Sequence, residues 1–281
     1  MMDEDDRSFR IGEVECRSIL NRSRIPGIDY SINPYLGCVH GCIYCYARFM
    51  TRFSKQPVVW GQFCDAKVNA ADVLSKQLVN AKKGLVSLST VTDPYQTPER
   101  KYQLTRKILI ALLAAGFPVS ILTKSDLVLR DIDVLQQFGR ETCDVGFSIA
   151  TCDEVIRRQF EPRAPSIQKR MDALKILHAS GIRTWVFIAP ILPCFTPDGL
   201  SCMLDSIKNS VDSILVDRLN IKCGNWHNIH QLLLKAYPTF VPKWKSVLFS
   251  NRHGESHFQP VVQQIRFFCI QNGIPFKSVL A

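Results

Sequence analysis

Residues 84–124 read GLVSLSTVTDPYQTPERKYQLTRKILIALLAAGFPVSILTK, and this stretch holds one whole unit of the fold. Gly84 to Thr90 is a short, mostly apolar run of the kind that forms a strand buried on both faces. Pro98 to Ala115 then carries helical spacing, with Pro in the first turn and Gly116 as its stop. Pro118 to Leu122 is a second apolar run and predicts a second strand. Strand, helix and strand in that order need a crossover connection, and crossovers make parallel sheets.

The same rhythm extends in both directions. Upstream, Tyr30-Ser31-Ile32-Asn33 predicts a strand leading into a cysteine-rich loop, followed by a short helix over Cys42 to Phe53. Downstream, Ser125 to Phe138 predicts a helix, Asp144 to Ile149 a strand, and Asp153 starts a short helix. A longer helix runs from Ser166 to Ser180 and stops at Gly181, before a strand at Thr184 to Ile188. Pro197 to Asn209 is the next helix and Ser213 to Val216 the last strand of the series. These six units predict an α/β fold, a partial (β/α)6 TIM-like barrel that stays open. From residue 221 the rhythm breaks. Ile229 to Tyr237 and Gln259 to Ile270 look helical and Pro275 to Leu280 extended, so this part is expected to be a C-terminal capping extension. The expected division is an N-terminal segment at 1–29, a core domain at 30–220 and an extension at 221–281 packing on the core.

In parallel α/β sheets, ligands gather at the C-terminal ends of the strands. Thr92, Asp93, Thr123, Lys124, Ser125, Thr151 and the stretch from Pro190 all follow such ends.

With 281 residues, 46% of them apolar and 21% charged, the chain can bury a full core, which excludes disordered and fibrous classes. Its longest unbroken apolar run, Ile108 to Ala115, is far short of the roughly 20 residues a membrane span needs. The start, Met1 to Asp6, is acidic where a signal peptide would be basic. No membrane association and a cytoplasmic location are therefore expected. Lys and Arg total 35 against 25 Asp and Glu, and six of the acids fall in the first fifteen residues. The body of the chain thus favours an anionic partner. Arg100, Lys101, Arg106 and Lys107 on one helix, and Arg157, Arg158, Arg163, Lys169 and Arg170 further on, could meet nucleic-acid phosphates or form solvated faces.

Eleven cysteines are an odd number, and no export signal accompanies them, so reduced thiols or metal ligands are expected. Eight lie singly, several within apolar runs, and read as packing. The other three, Cys38, Cys42 and Cys45, form a C-x3-C-x2-C loop inside Asn33-Pro34-Tyr35-Leu36-Gly37-Cys38-Val39-His40-Gly41-Cys42-Ile43-Tyr44-Cys45-Tyr46-Ala47-Arg48. Gly37 and Gly41 mark it as a tight loop. Three thiolates at this spacing can wrap one metal centre and leave a fourth coordination position unfilled. A zinc site completed by His40 or Cys64, in a protein with no catalytic role, is the alternative left by spacing alone.

The loop, with an aromatic before its last cysteine, resembles the radical S-adenosylmethionine (SAM) superfamily, and the wider pattern is similar to the spore photoproduct lyase-like subgroup. The motifs are Asn-Pro-Tyr-x-Gly-Cys at 33–38, Thr-Val-Thr-Asp-Pro-Tyr-Gln at 90–96, Thr-Lys-Ser at 123–125, Glu-Pro-Arg-Ala-Pro-Ser at 161–166 and Ala-Pro-Ile-Leu-Pro at 189–193. This resemblance covers roughly residues 30–220 and implies two cofactors, a [4Fe-4S] cluster on Cys38, Cys42 and Cys45 and S-adenosyl-L-methionine at the cluster's open iron. It implies reductive cleavage to a 5′-deoxyadenosyl radical that abstracts hydrogen, with electrons from a donor such as flavodoxin or ferredoxin. By matching position, Thr92 beside Asp93 would bond the methionine amino group, Lys124 its carboxylate, and Ser148 the ribose or carboxylate. Ala189 and Ile191 would meet the adenine, and Tyr44 would stack near it.

In the spore photoproduct lyases of that subgroup a cysteine on the strand before the Thr-Asp motif returns a hydrogen atom to the product radical, relayed by two tyrosines flanking the third cluster cysteine. Tyr44 and Tyr46 match the tyrosines, but the cysteine position reads Thr90. A threonine O–H bond is too strong to release hydrogen readily, so the resemblance implies a relative of the lyase with another reaction. Cys143 and Cys194 are the substitutes on offer, the first at the wrong end of its strand. The substrate classes expected are a nucleic acid or nucleotide, or alternatively a small molecule or a protein side chain. Glu161 and Arg163 are expected to pair across the mouth, and Trp226, His227, Trp244, His253 and His257 are candidates to line it.

Overall fold

The computed structural model describes residues 9–221, 223–249 and 254–279. The acidic start, Lys222, His253 and Leu280 lie outside the described residues. The first elements are β1 (Arg10–Val14), β2 (Asn21–Arg22), β3 (Tyr30–Ile32), β4 (Tyr35–Leu36), β5 (Phe63–Lys67), α1 (Ala70–Leu78) and β6 (Val86–Leu88). There follow α2 (Glu99–Tyr102), α3 (Leu104–Ala114), β7 (Val119–Thr123), α4 (Ile132–Phe138), β8 (Cys143–Ser148), α5 (Glu154–Phe160), α6 (Ile167–Ala179) and β9 (Arg183–Ile191). The chain continues through α7 (Leu200–Ile207), β10 (Ser213–Arg218), α8 (Trp226–Ala236), α9 (Val241–Phe249), α10 (Gly254–Gln271) and β11 (Phe276–Ser278).

All six expected strands form, and they lie side by side in sequence order: β3, β6, β7, β8, β9, β10, each parallel to the next. β11 extends this sheet in parallel beyond β10, and β2 ends it antiparallel to β3. The two edges do not pair, which makes the fold a partial (β/α)6 TIM-like barrel. Val86, Leu88, Val119, Ile121, Val145, Phe147, Val186, Ile188, Ile214 and Val216 are at most 1% exposed, as strands covered on both faces require.

Side-chain caps start α5 and α6. Asp153 accepts from the amides of Val155 (2.6 Å) and Ile156 (3.3 Å) at the head of α5, and Ser166 from that of Lys169 (3.3 Å) at the head of α6. One expectation fails in an instructive way. Pro98 to Ala115 is two helices, because Gln103 takes a left-handed φ of 50° and the buried Glu99 carboxylate accepts from Thr105 N (3.1 Å), capping α3 afresh. Ser125 to Phe138 likewise begins as a 3-10 turn, Asp126–Asp131, before α4.

The N-terminal segment is woven into the rest. β1 pairs in parallel with β5, and β4 completes a small sheet of order β1-β5-β4. Arg10 joins Asp65 across it at 2.8 Å. The extension supplies β11 and lays α8 and α9 over the cysteine loop. Trp244 of α9 is fully buried, stacked on Phe160 with ring centroids 5.9 Å apart, so it is core and does not line a mouth. Among the described residues no helix is long and apolar enough to cross a membrane.

Candidate functional site

The Cys38–Cys45 loop leaves the C-terminal end of β3 by way of β4, and side chains from several neighbouring segments hold its backbone. Asn33 accepts from Val91 N (2.9 Å) and donates to Thr90 Oγ1 (3.3 Å), tying the ends of β3 and β6 together. Gln96 accepts from Val39 N (2.9 Å) and donates to Gly37 O (3.3 Å) and Thr92 Oγ1 (2.8 Å). Thr92 itself donates to Gly37 O at 2.5 Å. Arg163 donates to Val39 O (3.0 Å) and Gly61 O, and Asn225, from the turn before α8, donates to Tyr44 O at 2.5 Å.

Cys38 and Cys42 are 7% exposed, Cys45 is half-buried, and all three are free thiols. Burial pushes the Cys42 thiol up to about 12, and Cys38 and Cys45 are raised for the same reason, with the thiols' mutual repulsion adding to the rise at Cys38 and Cys42. Bound metal holds cysteine as thiolate, so thiols raised by burial would lose their protons on taking one up. Among the described residues no three His, Cys, Asp or Glu side chains close around a single ion. The two residues considered as a zinc ligand are engaged elsewhere: Cys64 packs fully buried with Tyr35 and Val39, and His40 Nδ1 lies 3.5 Å from Asp93 Oδ2.

Beside the thiols lies a buried polar chain. Tyr44 donates to Glu161, and Glu161 pairs with Arg170, both 1% exposed. Arg170 also donates to Ser148 O (3.0 Å) and Pro165 O (2.8 Å). The expected Glu161–Arg163 pair is therefore replaced by Glu161–Arg170, because Arg163 spends its donors on the carbonyls of Val39 and Gly61. Burial would raise the Glu161 carboxyl, but Arg170 and Lys124 hold it below its ordinary value. Burial likewise keeps the Tyr44 phenol protonated, reinforced by Glu161.

Lys124 stands at the end of β7 with its ammonium 5.9 Å from the Tyr44 ring centroid. Its side chain makes no hydrogen bond or ion pair among the described residues. Burial works against its charge, but the neighbouring Glu161 carboxylate helps to raise it, so it stays cationic. Asp93 positions it, accepting from Lys124 N (2.9 Å), Thr123 Oγ1 (2.7 Å) and Tyr95 N (2.9 Å). Ser148 donates to Ala189 O at 3.0 Å, joining β8 to β9, and Ile191 is buried at the end of β9. Tyr46 donates to Thr90 O. Cys143 begins β8, at the edge away from this site, and Cys194 takes a φ of 71° in the loop after β9.

The loop depends on a close backbone approach. A Cβ on Gly61, at φ +88°, would lie 2.7 Å from Gly41 Cα, and neither backbone can yield cheaply. Gly61→Ala is expected to loosen the loop at a cost of about 1–3 kcal/mol. Cys38 and Cys42 should then be alkylated faster than in the unaltered apoprotein; an unchanged rate would count against this packing role.

The architecture defines a class: an open parallel barrel with three free thiols, two buried and one half-buried, on one loop at the C-terminal edge of its sheet. The Radical SAM superfamily description matches residues 32–198, and the chain belongs to that superfamily. It is a radical SAM enzyme, a family that implies SAM, an iron-sulfur cluster and a reductant. An uncharacterized protein of Methanocaldococcus jannaschii is 39% identical over 185 residues, 66% of this chain and 69% of that one. Another, of Mycobacterium bovis, is 36% identical over 254 residues, 84% of this chain and 72% of the other. The fold is similar to that of a spore photoproduct lyase mutant solved with bound AdoMet and dinucleoside spore photoproduct. The TM-score is 0.66 at 16% identity, over 95% of this chain and 80% of that one.

Proposed function

We propose that Cys38, Cys42 and Cys45 hold a [4Fe-4S] cluster with S-adenosylmethionine at its open iron, and that the substrate is a nucleic acid or nucleotide. When bound, such a cluster supplies one electron that cleaves the sulfonium to methionine and a 5′-deoxyadenosyl radical. The observation that carries this reading is the Lys124 ammonium, unpaired among the described residues and 5.9 Å from the ring of Tyr44, which lies between Cys42 and Cys45 on the loop. It is suited to a carboxylate ligand. Thr92 and Ser148 would offer hydroxyl oxygens to the amino group and the ribose, and the backbone at Ala189 with the apolar Ile191 would flank the adenine. Tyr44, fixed by Glu161, would close one side against water.

Residues 30–220 form the catalytic domain in this reading, and the extension caps it through Asn225. A flavodoxin or ferredoxin would deliver the electron. The nucleotide class is supported by the dinucleoside in the lyase of similar fold and by the basic excess of 35 over 25. Tyr46, seated on Thr90 O, faces no cysteine at position 90, so hydrogen return to product would differ from that of the lyase.

The test is anaerobic reconstitution followed by dithionite reduction with SAM and deuterated oligonucleotides or nucleotides. Iron and sulfide near four each per chain are expected, with deuterium passing into 5′-deoxyadenosine. Cleavage with deuterium taken up only from peptides or small metabolites would overturn the substrate class. A colourless zinc protein with no cleavage would overturn the whole reading.

A further inference from the structure

A cavity of about 340 Å3 opens between the turn after β6, the 3-10 helix after β7 and the head of α6. His40 of the cysteine loop forms part of its wall. None of Thr92, Lys124, Ser148 and Ala189 lines it, so it is separate from the place proposed above for SAM.

Its charge is one-sided. Arg100, Arg157, Arg163 and Lys169 line it against a single carboxylate, Asp126. Arg157 is spent: it gives Nη2 to Glu154 (2.6 Å) and Nη1 to the carbonyls of Glu161 (2.9 Å) and Ala164 (2.6 Å). Arg163 is half-spent. Its Nε and Nη2 hold Val39 O and Gly61 O, which fixes the guanidinium and leaves Nη1 with no partner among the described residues. The exposed side chains of Arg100 and Lys169 make no hydrogen bond or ion pair among the described residues. Ser166, which caps the thirteen-residue α6, adds a helix N-terminus to the same wall.

SAM is itself a cation overall, so a net-positive cavity does not suit it. Three cations with spare donors, one of them a fixed planar guanidinium, match the oxygens of a phosphate. The volume sits at the small end of ligand pockets, which run from about 300 Å3. We propose that this cavity binds a phosphate ester through Arg163, Arg100 and Lys169, carried either by a free nucleotide or by a nucleic-acid strand. The site stands without the proposed radical reaction, and its test reads binding alone.

The reconstituted protein is titrated by calorimetry with inorganic phosphate, AMP and a short single-stranded oligonucleotide. Arg100→Ala/Lys169→Ala is compared with Lys76→Ala/Lys175→Ala, which removes the same charge from exposed positions of α1 and α6 outside the cavity. The cavity variant is expected to bind at least about tenfold more weakly, and the control to change less than about twofold. Loss for phosphate and AMP identifies a free ester as the ligand; loss for the oligonucleotide alone identifies a strand phosphate. Equal weakening in the two variants, or no binding of any probe, overturns the proposal.

Discussion

Replacing Cys42 by alanine is expected to abolish SAM cleavage while leaving the chain folded. Its thiol is one of only three on the loop, and a cluster held by two protein ligands is exposed to loss and degradation. The side chain is 7% exposed and packs with Tyr44, Phe160 and Leu192, but truncating a thiol to a methyl costs about 1 kcal/mol, within the range of ordinary core changes. Activity and stability should therefore separate. Cys143→Ala provides the comparison: that thiol is 3% exposed and equally embedded, but sits at the opposite end of its strand from the site. Iron per chain and 5′-deoxyadenosine formation should fall to background in the first variant and persist in the second. Retention of both in Cys42→Ala, or their loss in both variants alike, would refute the assignment of the loop.

The contrast between those two cysteines reflects what the sequence makes legible. Cys38, Cys42 and Cys45 stand out because ligand spacing is local, and the strands because a parallel strand buried on both faces is an unbroken apolar run such as Pro118 to Leu122. β5 hides for the opposite reason. Phe63-Cys64-Asp65-Ala66-Lys67 buries a carboxylate that only Arg10, fifty-five residues away, makes tolerable. α9 hides behind Pro242, which reads as a breaker but occupies the first turn, where its missing N–H costs nothing. The site shows the same division. Lys124 and Thr92 lie at strand ends that periodicity locates, whereas Gln96 and Asn225 act through backbone contacts that leave no mark in composition. Arg157 and Arg170 look like members of a solvated basic run, yet they are 7% and 1% exposed, committed to Glu154 and Glu161. Only the unpaired cations around them remain for an anionic partner.

Arg170 also carries the largest expected effect on stability. Arg170→Met leaves the Glu161 carboxylate 1% exposed with its guanidinium gone, and removes the donors to Ser148 O and Pro165 O. Breaking one side of a buried pair costs about 3–5 kcal/mol, because the surviving charge is desolvated and uncompensated. Lys124 relieves part of that charge, which places the expected loss toward the lower end. Arg183→Met, by contrast, breaks an exposed pair with Glu141, 80% exposed, and should cost less than about 1 kcal/mol. Glu161→Gln/Arg170→Met removes both charges and should recover about half of the single variant's loss. The pH dependence has a definite sign. Glu161 ionises below its ordinary value in the folded chain, so its contribution is complete above that ordinary value and fades as pH falls through the depressed one. Glu161→Gln should flatten that part of the acid limb in urea unfolding. Because Glu161 also receives the Tyr44 hydroxyl, Arg170→Met should further expose Cys42 to alkylation. A destabilised variant whose Cys42 stays protected would show that the ion pair supports the barrel without ordering the loop.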